Sequence, residues 1–333
     1  MTGAALHEAL DAIARLDPEL HAFAALDLAR AQREVAAFER GDRLGPLAGV
    51  LVGVKDAYTT LDPATRYGTS VAVPAMQGAG EAVVVRRLRD AGAILPGKTN
   101  MTELCIGDYA IAGTPRSPTI PGRSVGASSG GCAVAVAAGL VAASVGTDTG
   151  GSVRAPAAYC GVVGFKPTFG TIPLANVVPL APSLDHGGVM ARDVATAALV
   201  ASVAAARDLL DGPAAPRLVV VDPAEIASPA IADALAAIAA ALRRSAAPVE
   251  VMSAAGLFDG WREAFMATMP AEASRVHGAL ADDPRLGIGA REILREGLAT
   301  SDAELRDAAM VRAQLAERPR ARDSRQQGLP ALS

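Results

Sequence analysis

The sequence predicts a layered α/β fold, and three observations carry that expectation. Short apolar or β-branched runs alternate with longer helical patterns along most of the chain, the rhythm of helices packed on a sheet. The stretch Ser124–Thr147 carries no charge, and glycine and serine punctuate it, so it reads as a buried helix and strand joined by tight turns. Composition agrees: 51% of the 333 residues are hydrophobic and 20% charged, enough for a large core, and with only 3% aromatics that core must be filled by Ala, Val and Leu.

The elements follow in chain order. Leu6–Leu16 and Leu26–Phe38 read as amphipathic helices. Gly45–Val54 reads as a glycine-punctuated strand that ends at Lys55-Asp56 and delivers Lys55 to the interior. Glu81–Ala91 is a helix with its charges on one face, Gly92 a turn, and Ala93–Leu95 a strand. Asn100–Pro121, with prolines at 115, 118 and 121, is a loop. Cys132–Gly139 is a helix, Ala142–Gly146 and Val162–Phe165 are strands, and Asp193–Ala206 is a helix. Leu218–Val221 and Val249–Met252 are strands flanking a helix at Pro229–Arg244, whose start is marked by Ser228 before a first-turn proline. Trp261–Leu280 is helical but broken or entered near Pro270, and Ala290–Glu296 and Ala303–Ala316 are the last helices. Glu317–Ser333 turns polar and arginine-rich without apolar periodicity, the composition of a disordered tail.

Several function classes are disfavoured. A net charge of −4 makes no electrostatic case for nucleic acid. The N-terminus carries acids early and lacks the basic-then-apolar pattern of a secretory leader. The uncharged central stretch is long enough to suggest a membrane span, but its glycines and serines favour the buried helix and strand. Cys105, Cys132 and Cys160 have no metal-ligand spacing and read as free thiols of a cytoplasmic protein. No metal or cofactor is expected.

Chemistry concentrates in two small-residue turns, Ala127–Gly131 and Thr149–Ser152. Most Gly/Ser turns merely join elements, and neither turn matches a phosphate-binding loop. Yet Thr149, Gly150, Gly151 and Ser152 can aim several backbone N–H groups at one point, as an oxyanion hole requires, with a serine among them. A serine nucleophile needs a base. Of 31 basic residues only Lys55, Lys98 and Lys166 are lysines, so lysine is used where arginine, which cannot give up its proton, would not serve. That argument is strongest for Lys55 at the end of its apolar run; for Lys98 and Lys166 packing explains as much. His186 after Asp185 is the rival base in a Ser-His-Asp set, but a single histidine in a Gly-rich loop is more simply structural, and lysine–serine variants of the triad exist.

These residues carry a resemblance. Gly53-Val54-Lys55-Asp56, Gly126-Ala127-Ser128-Ser129-Gly130-Gly131 and Gly146-Thr147-Asp148-Thr149-Gly150-Gly151-Ser152-Val153-Arg154 resemble the motifs of the amidase signature family. So do Pro156–Gly161, Gly164–Thr168 and Ser183-Leu184-Asp185, and the likeness is close over about Leu44–Val203. It implies a single α/β/α domain, 1–316, around a mixed sheet, with a Ser–cisSer–Lys triad: Ser152 as nucleophile, Ser128 as bridging serine, Lys55 as base. Ser129 would support the bridge, Thr149–Ser152 would bind the oxyanion through backbone N–H groups, and Asp148 and Arg154 would brace the nucleophile turn. The implied activity is cleavage of a carboxamide through an acyl-enzyme, releasing acid and ammonia or amine.

Two departures stand out. Ala127 replaces the glycine often found before the bridging serine, and the chain is expected to be C-terminally truncated relative to the family. Alternatives are therefore the glutamine-hydrolysing component of a tRNA-dependent amidotransferase, which would need partner proteins, and a non-catalytic remnant. Met101–Arg123 and Ile172–Pro182 are expected to shape the acyl pocket. The expected partner is a small amide, with a second copy of the chain as a candidate, and neither a membrane nor nucleic acid.

Overall fold

A computed structural model describes residues 2–76, 80–109, 112–210, 218–222, 227–244 and 249–327. In chain order the first part contains α1 (Gly3–Leu20), β1 (Phe23–Leu26), α2 (Leu28–Glu39), β2 (Val52–Lys55), α3 (Val83–Asp90), β3 (Gly97–Thr99) and α4 (Gly130–Ala137). Next come β4 (Ala143–Asp148), α5 (Arg154–Cys160), β5 (Val163–Phe165), β6 (His186–Ala191) and α6 (Val194–Ala205). Then follow β7 (Leu218–Asp222), α7 (Pro229–Arg244), β8 (Val249–Ser253), α8 (Trp261–His277), α9 (Ile288–Ala299) and α10 (Asp302–Gln327). The chain divides into two compact units: Met1–Leu210 with Met269–Ala299, and Asp211–Thr268 with Thr300–Ser333.

The first unit is a three-layer α/β/α structure. Its sheet runs β1-β3-β2-β4-β6-β5, with β2, β3 and β4 mutually parallel at the centre and the outer pairings antiparallel. Alternation along the strands feeds two cores. On one face Leu51 and Met190 join Leu6, Leu10 and Ile13 of α1, Val35 of α2 and Cys132–Val136 of α4. On the other, Val52, Val54, Val145 and Val189 meet Val84 and Leu88 of α3 and Val200 of α6. Leu6, Leu10 and Ile13 are spaced as one helical face, and Thr2 caps that helix by accepting from the Ala5 N–H. α6 likewise starts where Asp193 accepts from the Thr196 N–H at 2.7 Å.

In the second unit β7 and β8 pair in parallel, from Leu218↔Val249 to Asp222↔Ser253, with α7 as the crossover between them. The Arg318 guanidinium donates to the carbonyls of Gly256 and Asp259, tying α10 to the turn before α8.

Several expectations differ from the structure. The strand expected at Ala93–Leu95 is displaced to Gly97–Thr99, and only Ile94 forms an isolated bridge, to Leu51. β1, α5 and β6 arise where no element is expected. β1 exists because β3 pairs with it, β6 because β4 does, and α5 tolerates Pro156 in its first turn, where the missing N–H donor forfeits no intrahelical hydrogen bond. α8 runs through Pro270 without a break. The tail expectation for Glu317–Ser333 is a separate matter: α10 covers its first part to Gln327, and residues 328–333 lie outside the described residues.

Candidate active site

Parallel strands bring their carboxyl ends to one edge of a sheet, where open α/β folds hold their ligands. Here β2 and β4 lie side by side with Val52↔Ala143 and Val54↔Val145 in register, so Lys55 at the end of β2 faces the last residues of β4. The packing is close: a Cβ on Gly53 would meet Ser144 Oγ at 2.6 Å and Thr99 Cγ2 at 2.7 Å. The third contributor, the 126–131 turn, opens α4. A Cβ on Gly131 would lie 2.5 Å from Ala22 O and from the Asn100 backbone, so only glycine lets α4 begin this near the sheet.

Lys55 is 0% exposed. Its Nζ donates to Ser128 Oγ at 2.8 Å and to Thr147 Oγ1 at 2.8 Å, and Thr147 O lies at 3.5 Å. The Ala127-Ser128 peptide bond is cis, and Ser128 is buried. Ser129 is also buried, and its hydroxyl donates to Thr147 O at 3.2 Å. Thr147 is thus the residue through which Lys55 and Ser129 meet. It lies inside one of the sequence motifs but has no role legible there, because nothing local marks a threonine as a partner for a side chain 92 positions away.

Ser152 lies directly after β4 in the turn 149–152 and is partly exposed. Asp148, wholly buried, organises that turn. Its carboxylate accepts from the N–H groups of Gly151 (2.8 Å), Val153 (3.0 Å) and Arg154 (3.3 Å), and from Arg154 Nε at 3.0 Å and its terminal nitrogen at 2.8 Å. Burial works against the charge, but the Arg154 hydrogen bonds, its positive charge and the backbone donors outweigh it, holding the carboxyl below the usual range. Gly151 takes φ +126°, a backbone region that side chains rarely adopt. One expectation changes in detail. The Gly151 N–H, expected at the oxyanion position, donates to Asp148 Oδ1.

Asp185 and His186 form no relay with a serine. Asp185 accepts from Thr149 Oγ1 at 2.6 Å and from the N–H groups of Leu180 (2.9 Å) and Ala181 (3.1 Å). His186 Nδ1 donates to Leu184 O at 2.6 Å, and its ring meets Phe169 edge-on. Lys98 is buried and structural: it donates to Tyr58 O at 2.6 Å and to Thr65 Oγ1, and lies 3.4 Å from Asp56. Burial pushes its ammonium down to about 8 against the pull of Asp56. Lys166 donates to the neighbouring Pro167 carbonyl.

A cavity of about 260 Å3 opens beside Thr147 and Thr149. Its walls come from both segments expected to shape an acyl pocket: Cys105 from the first, and Leu174, Val177, Val178, Pro179, Leu180 and Pro182 from the second. Tyr67 adds a further wall, in a turn held by Asp56, which accepts from the N–H groups of Arg66 and Gly68. A larger groove of about 1220 Å3, along His21, Arg116 and Arg123, contains none of the predicted site residues. Among the described residues no group of three His, Cys, Asp or Glu side chains is gathered to hold a metal, and no helix is long and apolar enough to cross a membrane.

Known proteins resemble this chain in sequence and in fold. A family model described as Amidase matches residues 4–318. The AmiD protein of Mycobacterium tuberculosis, a putative amidase by name, is 44% identical over 204 residues, 60% of this chain and 43% of its own length. The glutamyl-tRNA(Gln) amidotransferase A chain of Thermobifida fusca is 44% identical over 198 residues, 57% of this chain and 40% of its own length. The chain thus spans less than half the length of the curated relatives it matches. Among solved structures, a crystal structure of an amidase aligns over 96% of this chain and 75% of its own, at TM-score 0.86 and 34% identity.

Proposed function

The chain belongs to the amidase family, and from that premise we propose that it hydrolyses carboxamides by a Ser152–Ser128–Lys55 relay carried entirely by its first compact unit. The observation that carries the reading is the 2.8 Å contact between Lys55 Nζ and Ser128 Oγ, at a lysine with no solvent exposure. Enclosed away from water between two hydroxyls, the amine is placed to exchange a proton with Ser128 while Thr147 holds it.

In the proposed reaction Ser152 Oγ attacks the amide carbonyl carbon. Its proton passes to Ser128 Oγ as the Ser128 proton passes to Lys55 Nζ. Negative charge develops on the carbonyl oxygen and is met by the N–H groups of Thr149, Gly150 and Ser152, while Asp148, through Gly151 and Arg154, holds that loop in shape. The tetrahedral intermediate collapses, the C–N bond breaks, and the leaving nitrogen takes the proton back from Lys55 by way of Ser128. Water then attacks the Ser152 ester along the same route and releases the acid. No step requires a group the chain does not supply. The three free thiols, Cys105, Cys132 and Cys160, support a reducing, cytoplasmic setting.

The experiment is a panel of simple amides with the purified protein, without ATP or tRNA, joined to labelling by a fluorophosphonate probe and peptide mass spectrometry. Ammonia release together with a label on Ser152 is expected. A label on Ser128 or Ser129 with Ser152 untouched would remove the assignment. Hydrolysis of glutamine alone, and only with partner proteins, would move the chain to the amidotransferase reading that the Thermobifida relative suggests.

A further inference from the structure

We infer that the cavity beside Thr149 selects an uncharged, apolar acyl group of roughly eight non-hydrogen atoms or fewer, and excludes glutamine. The inference rests on the amide-hydrolase reading for where the acyl group sits, and it adds the chemical class of substrate.

The walls are the first argument. Tyr67, Cys105, Leu174, Val177, Val178 and Leu180 present ring, thiol and aliphatic surface. Burying such surface against an alkyl or aryl chain is favourable in proportion to its area. The second argument is charge. Among the described residues lining the cavity there is no lysine or arginine, and the one ionisable carboxylate is Asp185. That carboxylate is already engaged by Thr149 Oγ1 and by the N–H groups of Leu180 and Ala181. Of the remaining hydroxyls, Thr147 Oγ1 is engaged by Lys55 and the Tyr67 hydroxyl donates to Pro179 O at 3.5 Å. A glutamine acyl group would bring a second carboxylate into this space, beside Asp185 and with no lysine or arginine in the lining to meet it, and a buried charge without a partner is strongly disfavoured.

The third argument is that the cavity is preformed. Leu104 and Cys105 take φ +50° and +63°, a left-handed pair that turns the chain back at the cavity wall. Tyr67, also left-handed at φ +57°, is 0% exposed and packs against the buried His277 ring at 5.5 Å, the two planes tilted by 35°. His277 is anchored in turn to Pro179 O at 2.8 Å. At about 30 Å3 for each water-sized group, a volume of about 260 Å3 holds on the order of eight such groups, enough for a hexanoyl or benzoyl unit.

Cys105 makes the test independent of turnover. It lines the cavity and is partly exposed, whereas Cys132 and Cys160 are buried, with thiols that burial pushes up to about 11. Iodoacetamide labelling of Cys105 in the full-length Ser152→Ala variant, read by peptide mass spectrometry, therefore reports occupancy without hydrolysis. Hexanamide at about ten times its dissociation constant should slow labelling about tenfold, while glutamine leaves it within about twofold. Protection by glutamine rather than hexanamide, or by neither up to the solubility limit, overturns the inference. In the Ser152-intact protein, Cys105→Phe should lower kcat/KM for hexanamide by about tenfold more than it lowers that for acetamide; an equal loss on both substrates overturns it as well. Protection by hexanamide in a chain that hydrolyses no amide would remove the catalytic reading and leave the pocket assignment standing.

Discussion

Lys55 and Thr147 meet at the carboxyl ends of two adjacent parallel strands, Nζ donating to Oγ1 at 2.8 Å across 92 positions of sequence. The same lysine donates to Ser128, so Thr147 fixes the direction in which the amine faces.

Thr147 is therefore expected to be a positioning residue. Thr147→Val keeps the shape and removes the hydroxyl, and should lower kcat/KM by about tenfold, the equivalent of one hydrogen bond to a charged or strongly polar group. Thr147→Ser should restore most of it. Equal activity in Thr147→Val and wild type would show that Ser128 alone orients the lysine.

Lys55 is expected to act by accepting a proton, not by its charge. Arginine keeps the charge but does not give up its proton. Lys55→Arg and Lys55→Ala should both lose roughly 10²–10⁴-fold in kcat/KM on a good amide. An arginine variant within a few-fold of wild type would rule out the relay from Ser152 through Ser128.

His186 is expected to be dispensable for chemistry, since its Nδ1 is spent on Leu184 O and its ring on Phe169. His186→Ala should keep kcat within about tenfold, a loss of roughly 1.4 kcal/mol or less in the barrier. A fall comparable to that of Ser152→Ala would revive a Ser-His-Asp mechanism.

Lys98 should leave a signature in the pH dependence of stability. Its folded-state value, about 8, lies below the 10.5 of an ordinary lysine because burial disfavours the cation. Below about pH 8 both folded and unfolded chains carry the proton and the burial cost is present in full. As pH rises from there toward 10.5 the folded chain sheds the proton first, the unfolded chain binds more protons, and stability from this group increases. Denaturant unfolding at two pH values inside that window should find wild type gaining on Lys98→Met by on the order of 1 kcal/mol at the higher pH. Parallel pH dependences in the two proteins would contradict this.

Whatever is local in this protein was legible from the amino acids alone. The Gly-Ser turns, the lysine ending an apolar run and the order of the motifs identified the candidate serines and Lys55, because those signals lie within a few residues of the groups concerned. α1, with its periodic apolar face, and α6, a continuous alanine- and valine-rich run that begins after Asp193, were legible for the same reason. Tertiary structure decided whatever depends on a distant partner. β6, reading His-Gly-Gly-Val-Met-Ala, has weak strand propensity and exists because its backbone completes β4 from Ala143↔Ala191 to Asp148↔His186. Thr147 and Asp185 acquire their contacts only through Lys55 and Thr149, 92 and 36 positions away. The apolar walls beside Thr149 come from three separate segments, around residues 67, 105 and 174–182, and only the packed sheet brings them to one edge. Propensity acts over neighbouring residues, whereas these contacts form once loop-closure entropy has been offset by a common core.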